Sequence, residues 1–526
     1  MTSASSRTPL VDAVRTDLPS LLRKRAAAQP EQVFVESFDG TTWTYREVWD
    51  KAAAVAGWLS AAGCGKGDRV VCVTGNRPEI LAVLFGANLI GAIFVPLNPE
   101  LKGQFLGHQL ANSEPAVVFV QADLLETVRD AGLPGSVREV VVFGEPRWDE
   151  VVAHAPIAEP AELAPSDIST ILYTSGTTGP AKGVLLPHAH CVLFGAGIAT
   201  HLRMTPADKE YVALPLFHAN GLFMQVGAVL FAGAQFYLAK RFSASGWLPD
   251  VRRTGATITH LLGVMADFVL HQPPSDADLD HGLRAVLSIP VSDEGAPEFE
   301  RRFGVEVLHG FGMTECNMVA YSTSGRNSGK ALDAFELAIA DAETGQLLPA
   351  GTVGEIVVRP RIPGAFMAGY FKMPDKTVEA WRDLWFHTGD AGFLDEQSRL
   401  HFVDRIKDCI RRRGENISSY EVEQAVLHYP GIAECAAVGV KTDDAGGEDE
   451  VMICVVPDPG AEIDPSALTE FCRERMPKHM VPSFVKVMTE LPKTATGKLQ
   501  KAPLRESTNG AADVRRRHAA QPRISA

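Results

Sequence analysis

Arg69-Val-Val-Cys-Val-Thr74, Pro78-Glu-Ile-Leu-Ala-Val-Leu-Phe-Gly-Ala-Asn-Leu-Ile-Gly91 and Ala92-Ile-Phe-Val-Pro-Leu97 follow one another almost without interruption. A Val-rich run, an apolar stretch opened by proline and closed by glycine, and a second short run read as strand, helix, strand. The apolar stretch from Ile80 to Leu97 is long enough to raise a membrane reading. Gly86, Asn88, Gly91 and Pro96 interrupt it, which favours a buried helix ending at Gly91 and then a strand over Ala92–Leu97. Both strands are continuous apolar runs rather than alternating ones. That pattern belongs to strands covered on both faces, as in a parallel sheet.

The same alternation extends outward on both sides. Thr44 with Glu47 is a capping-box signature, and Tyr45, Val48, Ala52, Val55 and Leu59 keep helical spacing until Gly63. A helix over Gly103–Ser113 and strands over Ala116–Val120 and Val140–Phe143 come next, and the pattern resumes at Val212–Leu214, Phe236–Leu238 and Thr257–Leu261. Around residues 405–417 the texture becomes charged, with Asp404-Arg-Ile-Lys-Asp408 and Arg411-Arg-Arg-Gly414. A compact set follows: a helix from Ser419, strands Cys435–Val440 and Val451–Val456, a helix from Pro465 and a strand Phe484–Met488. The expected fold is α/β. A large N-terminal α/β domain of several subdomains with mostly parallel sheets covers 1–404, and a small mobile C-terminal α+β domain covers 405–507. The remainder, 508–526, reads as a disordered tail.

The chain has 526 residues, which at about 150 per domain allows roughly three. Fifty Lys and Arg against 64 Asp and Glu give a net charge of −14. That balance argues against a protein that coats nucleic acid or inserts in an anionic membrane. The eight cysteines are scattered without a C-x-x-C pair, as suits reduced thiols. The N-terminus lacks an apolar signal core, so a cytoplasmic location is expected.

Chemistry gathers first in Tyr173-Thr-Ser-Gly-Thr-Thr-Gly-Pro-Ala-Lys-Gly183, where three glycines, four Ser/Thr hydroxyls and Lys182 follow an apolar strand. Glycines let backbone N–H groups curl around an anion, hydroxyls add donors, and the lysine adds a compact charge. The P-loop pattern G-x-x-x-x-G-K-[ST] is absent. Further along stand Leu214-Pro-Leu-Phe-His-Ala-Asn-Gly221, Gly310-Phe-Gly-Met-Thr-Glu315, Trp385-Phe-His-Thr-Gly-Asp390, Asp404-Arg-Ile-Lys-Asp408, Gly414-Glu-Asn-Ile417 and Pro492-Lys-Thr-Ala-Thr-Gly-Lys498. Glu315 beside Thr314 suits a hard cation that also holds phosphate oxygens. Asp390, after Gly389, can accept from two hydroxyls at once. On residue type alone, Glu315 reads first as a surface acid and Lys498 as a solubilising lysine, and Asp390 reads equally as a turn cap.

These motifs, in this order over about 20–503, resemble the adenylate-forming superfamily of acyl-CoA synthetases, peptide-synthetase adenylation domains and luciferases. The texture is most similar to the crotonobetaine/carnitine-CoA ligase branch. The resemblance implies an ATP-dependent acyl-CoA synthetase that passes through an acyl-adenylate, with ATP, Mg²⁺ and CoA. It implies that Thr174, Ser175, Gly176, Thr177, Thr178, Gly179 and Lys182 hold phosphate. Gly310, Phe311, Gly312 and Met313 would flank adenine, and Asp390 and Arg405 would bind ribose. Glu315 would be the Mg²⁺ ligand beside Thr314, and Lys498 the catalytic lysine of adenylation. Lys407 would be the hinge, Gly414 and Glu415 would meet CoA, and His218, Asn220, Gly221, Phe223, Met224, Leu262 and Ile289 would border the acyl group.

The chain departs from that pattern in several places, among them Phe311 for a usual tyrosine and the stretch between Cys316 and Gly354. Pro180-Ala181 exchanges the usual order before Lys182, Leu287-Ser-Ile-Pro-Val291 replaces a Gly-Gly-Ala strand end, and Ser419 stands for a common proline. A quaternary ammonium needs acids or an aromatic cage, and Leu214–Gly227 has no acid and only two Phe. An apolar or bulky acid is therefore expected. Partners are a small carboxylic acid, ATP and CoA, without nucleic acid or membrane insertion, in a monomer or a homodimer. A stand-alone enzyme loading a carrier-protein thiol and a catalytically silent binding relative remain the alternatives.

Overall fold

The computed structural model describes residues 10, 13–174, 180–270, 272–289, 295–322, 327–342, 344–405, 410–412, 415–417, 419–442, 449–492, 501–505 and 508–515. The chain divides into two compact units, one of Met1–Pro99, Gln109–Thr174 and Lys182–Asp404, the other of Arg405–Ala526 with Glu100–His108 and Ser175–Ala181. The last two stretches lie on the N-terminal side of residue 404. They are joined to each other by the His108 ring, whose Nε2 lies 3.2 Å from the Ala181 carbonyl oxygen.

The first unit is built on two sheets with parallel centres. One runs Gly369–Tyr370, Lys182–Pro187, Ile168–Thr174, Ile93–Leu97, Arg69–Val73, Val117–Gln121, Glu139–Phe143. Its last five strands are parallel and its first two are antiparallel additions. The helix Glu79–Leu89 joins two neighbouring strands and is buried along its length. Gly91 follows it at φ +73°, a left-handed geometry that glycine adopts without strain. The helix Tyr45–Ala61 starts on the expected box, Thr44 Oγ1 accepting from the Glu47 N–H while Glu47 accepts from the Thr44 N–H.

The second sheet runs Lys330–Ala331, Asn317–Ser322, Glu306–Met313, Ala285–Ile289, Ile258–Leu262, Lys209–Val212, Gln235–Leu238, Val33–Ser37, Thr42–Thr44. Six central strands are parallel, and antiparallel hairpins close both ends. The strand expected at Val212–Leu214 lies instead at Lys209–Val212. The apolar run continues past the strand, but Pro215 has no N–H to pair. Asn76 takes over there, its amide donating to the Leu214 carbonyl at 3.2 Å and accepting from the Leu216 N–H at 3.0 Å.

A third sheet was not read from the sequence. Phe335–Ala340, Gly354–Pro360, Trp385–Leu394 and Trp381–Arg382 pair antiparallel, and Leu400–Arg405 joins Trp385–Leu394. The second unit holds a four-stranded sheet of Ile432–Lys441, Asp449–Pro457, Phe484–Val487 and Ala512–Asp513, with helices Ser419–Leu427 and Pro465–Arg475. The strand Ala512–Asp513 corrects the expected tail from 508. It pairs with Val485 and Phe484, and the Val514 N–H donates to the Ser483 carbonyl. Ser419 also gains a reason, since its hydroxyl accepts from Lys501 Nζ at 2.7 Å, which proline cannot do. The seven described cysteines are buried and unpaired. No described helix is long and apolar enough to cross a membrane.

Candidate functional site

Glu315 sits at the tip of a hairpin. Glu306–Met313 and Asn317–Ser322 pair antiparallel up to Met313 opposite Asn317, so Thr314, Glu315 and Cys316 form the turn. The two glycines of the motif are required by this pairing. A Cβ on Gly310 would lie 2.6 Å from the Met318 side chain, and one on Gly312 would lie 2.3 Å from the Asn317 carbonyl. Asn317 takes φ +70°, and its amide donates to the His190 carbonyl at 2.9 Å. The His190 ring in turn holds the turn, with Nε2 donating to the Thr314 carbonyl at 3.0 Å. Burial drives this imidazole down to about 4, so it is neutral at pH 7 and its ring N–H is a fixed donor. Phe311 is buried and faces Phe402, ring centroids 6.2 Å apart.

Tyr370 ties this turn to the lysine of the glycine-rich loop. Its hydroxyl donates to Glu315 Oε1 at 3.1 Å, and the Met367 N–H donates to the Glu315 carbonyl at 3.0 Å. Tyr370 pairs with Val184, two residues after Lys182, and Lys182 Nζ stands 4.2 Å from the Tyr370 ring centroid. A cation over a phenol ring whose hydroxyl binds a carboxylate is a stabilising sequence of contacts. Burial and the neighbouring Glu315 carboxylate raise the Tyr370 phenol, so it stays a donor. Lys182 and Glu315, far apart in sequence, thus meet one ring, the lysine over its face and the carboxylate at its hydroxyl.

The glycine-rich loop closes a hairpin, because Thr174 pairs with Lys182 in antiparallel register. Strand–loop–strand distinguishes it from the strand–loop–helix of P-loop proteins. Ser175, Gly176, Thr177, Thr178 and Gly179 lie outside the described residues, whereas Thr174 is half-buried at the strand end.

Asp390 is delivered by a bulge. Glu355 pairs with Ala391 and Val357 with His387, so Ile356 faces three residues, Thr388 to Asp390. Bulges re-aim a side chain at a strand position, and Gly389 at φ +73° permits this one. Glu355 secures the turn: its Oε1 accepts from the Gly389 N–H at 3.0 Å, and Oε2 lies 2.7 Å from His387 Nδ1. Thr388 Oγ1 accepts from the Asp390 N–H at 3.1 Å and donates to the Ile356 carbonyl at 2.7 Å. Asp390 itself is buried, 3% exposed, in keeping with a shaped site rather than a surface cap.

The remaining sequence-derived candidates divide by position. Asn220 and Gly221 open a π-helical turn, Asn220–Val226, that continues into the helix Gly227–Ala232. A Cβ on Gly221 would lie 2.3 Å from the Pro215 carbonyl, so only glycine fits. His218, Asn220 and Leu262 are half-buried, while Phe223 and Met224 are buried in the main core. Arg405 ends the strand Leu400–Arg405 and Ile289 ends Ala285–Ile289, but the structure describes only their backbone, as it does for Glu415. Lys407, Gly414 and Lys498 lie outside the described residues. Tyr370, His190 and Glu355 were not read from the sequence. The Gly-Tyr pair after Ala368 and the two histidines opening the helix His188–His201 were the signals available.

Comparison with known proteins shows what this chain is similar to. A family model described as AMP-binding enzyme matches residues 22–371, and its C-terminal-domain counterpart matches 421–498. A sulfoacetate–CoA ligase of Cupriavidus necator is 32% identical over 93% of this chain and 97% of its own. A crotonobetaine/carnitine–CoA ligase of Salmonella heidelberg is 30% identical over 89% and 95% respectively. Among solved structures, o-succinylbenzoate CoA synthetase from Bacillus subtilis, bound to a product analogue, superposes with a TM-score of 0.81. It is 26% identical, and the match covers 94% of this chain and 99% of that one.

Proposed function

The chain belongs to the AMP-binding enzyme family, and from that premise we propose how its residues divide the reaction. It is an ATP-dependent acid–thiol ligase: a carboxylic acid and ATP give acyl-AMP and diphosphate, and CoA then gives acyl-CoA and AMP. The observation that carries the assignment of roles is the Lys182–Tyr370–Glu315 convergence, a cation and a carboxylate placed on one ring.

In the first step an oxygen of the acid attacks the α-phosphorus, and the bond to the departing diphosphate breaks. Lys182 and Thr174 hold phosphate oxygens with Ser175, Gly176, Thr177, Thr178 and Gly179. Among the described residues no group of three or more His, Cys, Asp or Glu side chains is placed to hold a metal. One carboxylate beside a hydroxyl, Glu315 with Thr314, fits Mg²⁺ that arrives largely coordinated by the nucleotide. Bound there, Mg²⁺ neutralises phosphate charge. Phe311 offers a face to adenine between Gly310, Gly312 and Met313, and Asp390 and Arg405 take the ribose hydroxyls. Lys498 supplies the ammonium at the acid and the α-phosphate, where charge builds. In the second step the CoA sulfur attacks the acyl carbonyl and AMP leaves. The small C-terminal domain turns about Lys407 between the steps and presents Gly414 and Glu415 to CoA.

The acid is apolar or bulky. Two relatives of nearly equal identity are named for sulfoacetate and for crotonobetaine or carnitine, so overall identity does not select a substrate. What supports an apolar acid is the stretch Leu214–Gly227, which has no acidic or basic residue other than His218. An acid panel with ATP, Mg²⁺ and CoA, read by product mass, tests this. Apolar acids should be converted fastest, and a preference for charged acids would overturn the assignment. Activity is expected in the cytoplasm, as a monomer or a homodimer.

A further inference from the structure

The face of the nine-stranded sheet behind the π-helical turn carries a polar cluster that the reaction does not use. Glu210 pairs in register with Ile258, so Glu210 and His260 share one face of adjacent parallel strands. Both are fully buried, and His260 Nε2 lies 3.3 Å from Glu210 Oε1. Each also reaches the turn. His260 Nδ1 is 2.9 Å from Asn220 Oδ1 at its start, and Glu210 Oε1 accepts from Gln225 Nε2 at 3.0 Å near its end. Gln225 Nε2 lies in addition 3.3 Å from the Tyr211 carbonyl.

A π-helical turn has poorer hydrogen bonding than an α-helix and persists where its surroundings hold it. Here the Gly227 N–H bonds back five residues to the Leu222 carbonyl, and the wide turn lies between the two points where the cluster grips. Burying three polar side chains, Glu210, Gln225 and His260, is costly unless they are paired. Glu210 Oε2, Gln225 Oε1 and His260 Nε2 still have no hydrogen-bond partner among the described residues, so the cluster is tolerated rather than ideal. Burial raises the Glu210 carboxyl to about 8 and lowers His260 to about 3. At pH 7 both groups are neutral, and His260 Nδ1–H is donated to Asn220 Oδ1.

We propose that Glu210 and His260 are positioning residues that clamp the turn Asn220–Val226 at both ends, and that the clamp sets the affinity for the acid by fixing Asn220 and Gly221. The kinetic half of this rests on the acyl-wall reading above; the structural half does not. Substrates are therefore discriminated partly by residues they never touch, through the width of a wound turn.

The experiment compares the full-length wild type with Glu210→Leu, His260→Leu and the near-isosteric Glu210→Gln, whose amide can donate to His260 and accept from Gln225. Gln225→Met repeats the test without touching the buried pair, should the leucine variants fail to fold. Amide hydrogen exchange over residues 218–227 forms one arm, and diphosphate release with benzoate and octanoate forms the other. The clamp predicts exchange at least tenfold faster in the disruptive variants and near wild type in Glu210→Gln. It also predicts an acid KM at least tenfold higher with the ATP KM within twofold. Unchanged exchange over 218–227 overturns the clamp. Faster exchange with equal rises in both KM values, or a change in kcat alone, overturns the positioning role. A wild type that releases no diphosphate with either acid, but whose turn responds as stated, supports the clamp and counts against the proposed function.

Discussion

The turn that carries Glu315 and the turn that carries Asn220 are both irregular segments at the ends of strands in one sheet, yet they are built in opposite ways. Around Glu315 the supports are single and directional: His190 on Thr314, Tyr370 on Glu315, and two glycines that admit Met318 and Asn317. Each contact holds one group of the motif turn in place. Around Asn220 the supports are a shared, buried cluster, Glu210 and His260, gripping a turn whose other side chains are mostly core. On the proposed assignment, the nucleotide side is set by motif residues and their direct neighbours, and the acyl side by packing behind the turn.

The comparison breaks most severely at Lys498. Lys498→Ala should lower acid-dependent diphosphate release by roughly 10³-fold, because a group aimed at developing charge is lost, while thioester formation from supplied acyl-AMP stays near wild type. Equal loss of both half-reactions would remove the one-step role of the lysine. Glu315→Gln should follow at roughly 10²-fold, with activity partly regained as Mg²⁺ is raised. A variant indifferent to Mg²⁺ would take the cation away from this turn. Asp390→Asn should raise the KM for ATP by roughly tenfold, about the contribution of one charge-assisted hydrogen bond, and leave the KM for the acid alone.

Tyr370→Phe is a finer probe. The ring under Lys182 remains and only the hydroxyl on Glu315 goes, so kcat should fall by about fivefold, the worth of one hydrogen bond. A loss as large as that of Glu315→Gln would mean the tyrosine does more than orient the carboxylate. The smallest effect concerns pH. His190 is pushed down to about 4 by burial, so it takes a proton only as pH falls through that value. Between pH 5 and 9 the activity profile should contain no inflection that His190→Gln removes.

Much of the large unit was legible because parallel strands buried on both faces write continuous apolar runs, as at Arg69–Val73, and because Thr44 with Glu47 marks a helix start locally. The sheet from Phe335 to Arg405 was missed for the converse reason. Its strands mix polar with apolar residues instead of running continuously apolar, and its register depends on a bulge at Gly389 that only the partner strand reveals. In the site, the tips of turns were legible and their supports were not. Glu315 announces itself beside Gly310-Phe-Gly312, but Tyr370 lies 55 positions away and meets it only in the fold. Glu210 and His260 left a fainter trace, a titratable residue in each of two short strands, Lys209–Val212 and Ile258–Leu262, which means little until the strands are placed side by side.

The central claim is that this chain makes an acyl-adenylate on the residues named. Acid-dependent exchange of labelled diphosphate into ATP, measured without CoA on the wild type and Lys498→Ala, tests it most directly. Exchange should appear with at least one apolar carboxylic acid, require Mg²⁺, and vanish in the lysine variant. Exchange that is absent with every acid, or that proceeds equally well in Lys498→Ala, would contradict the account.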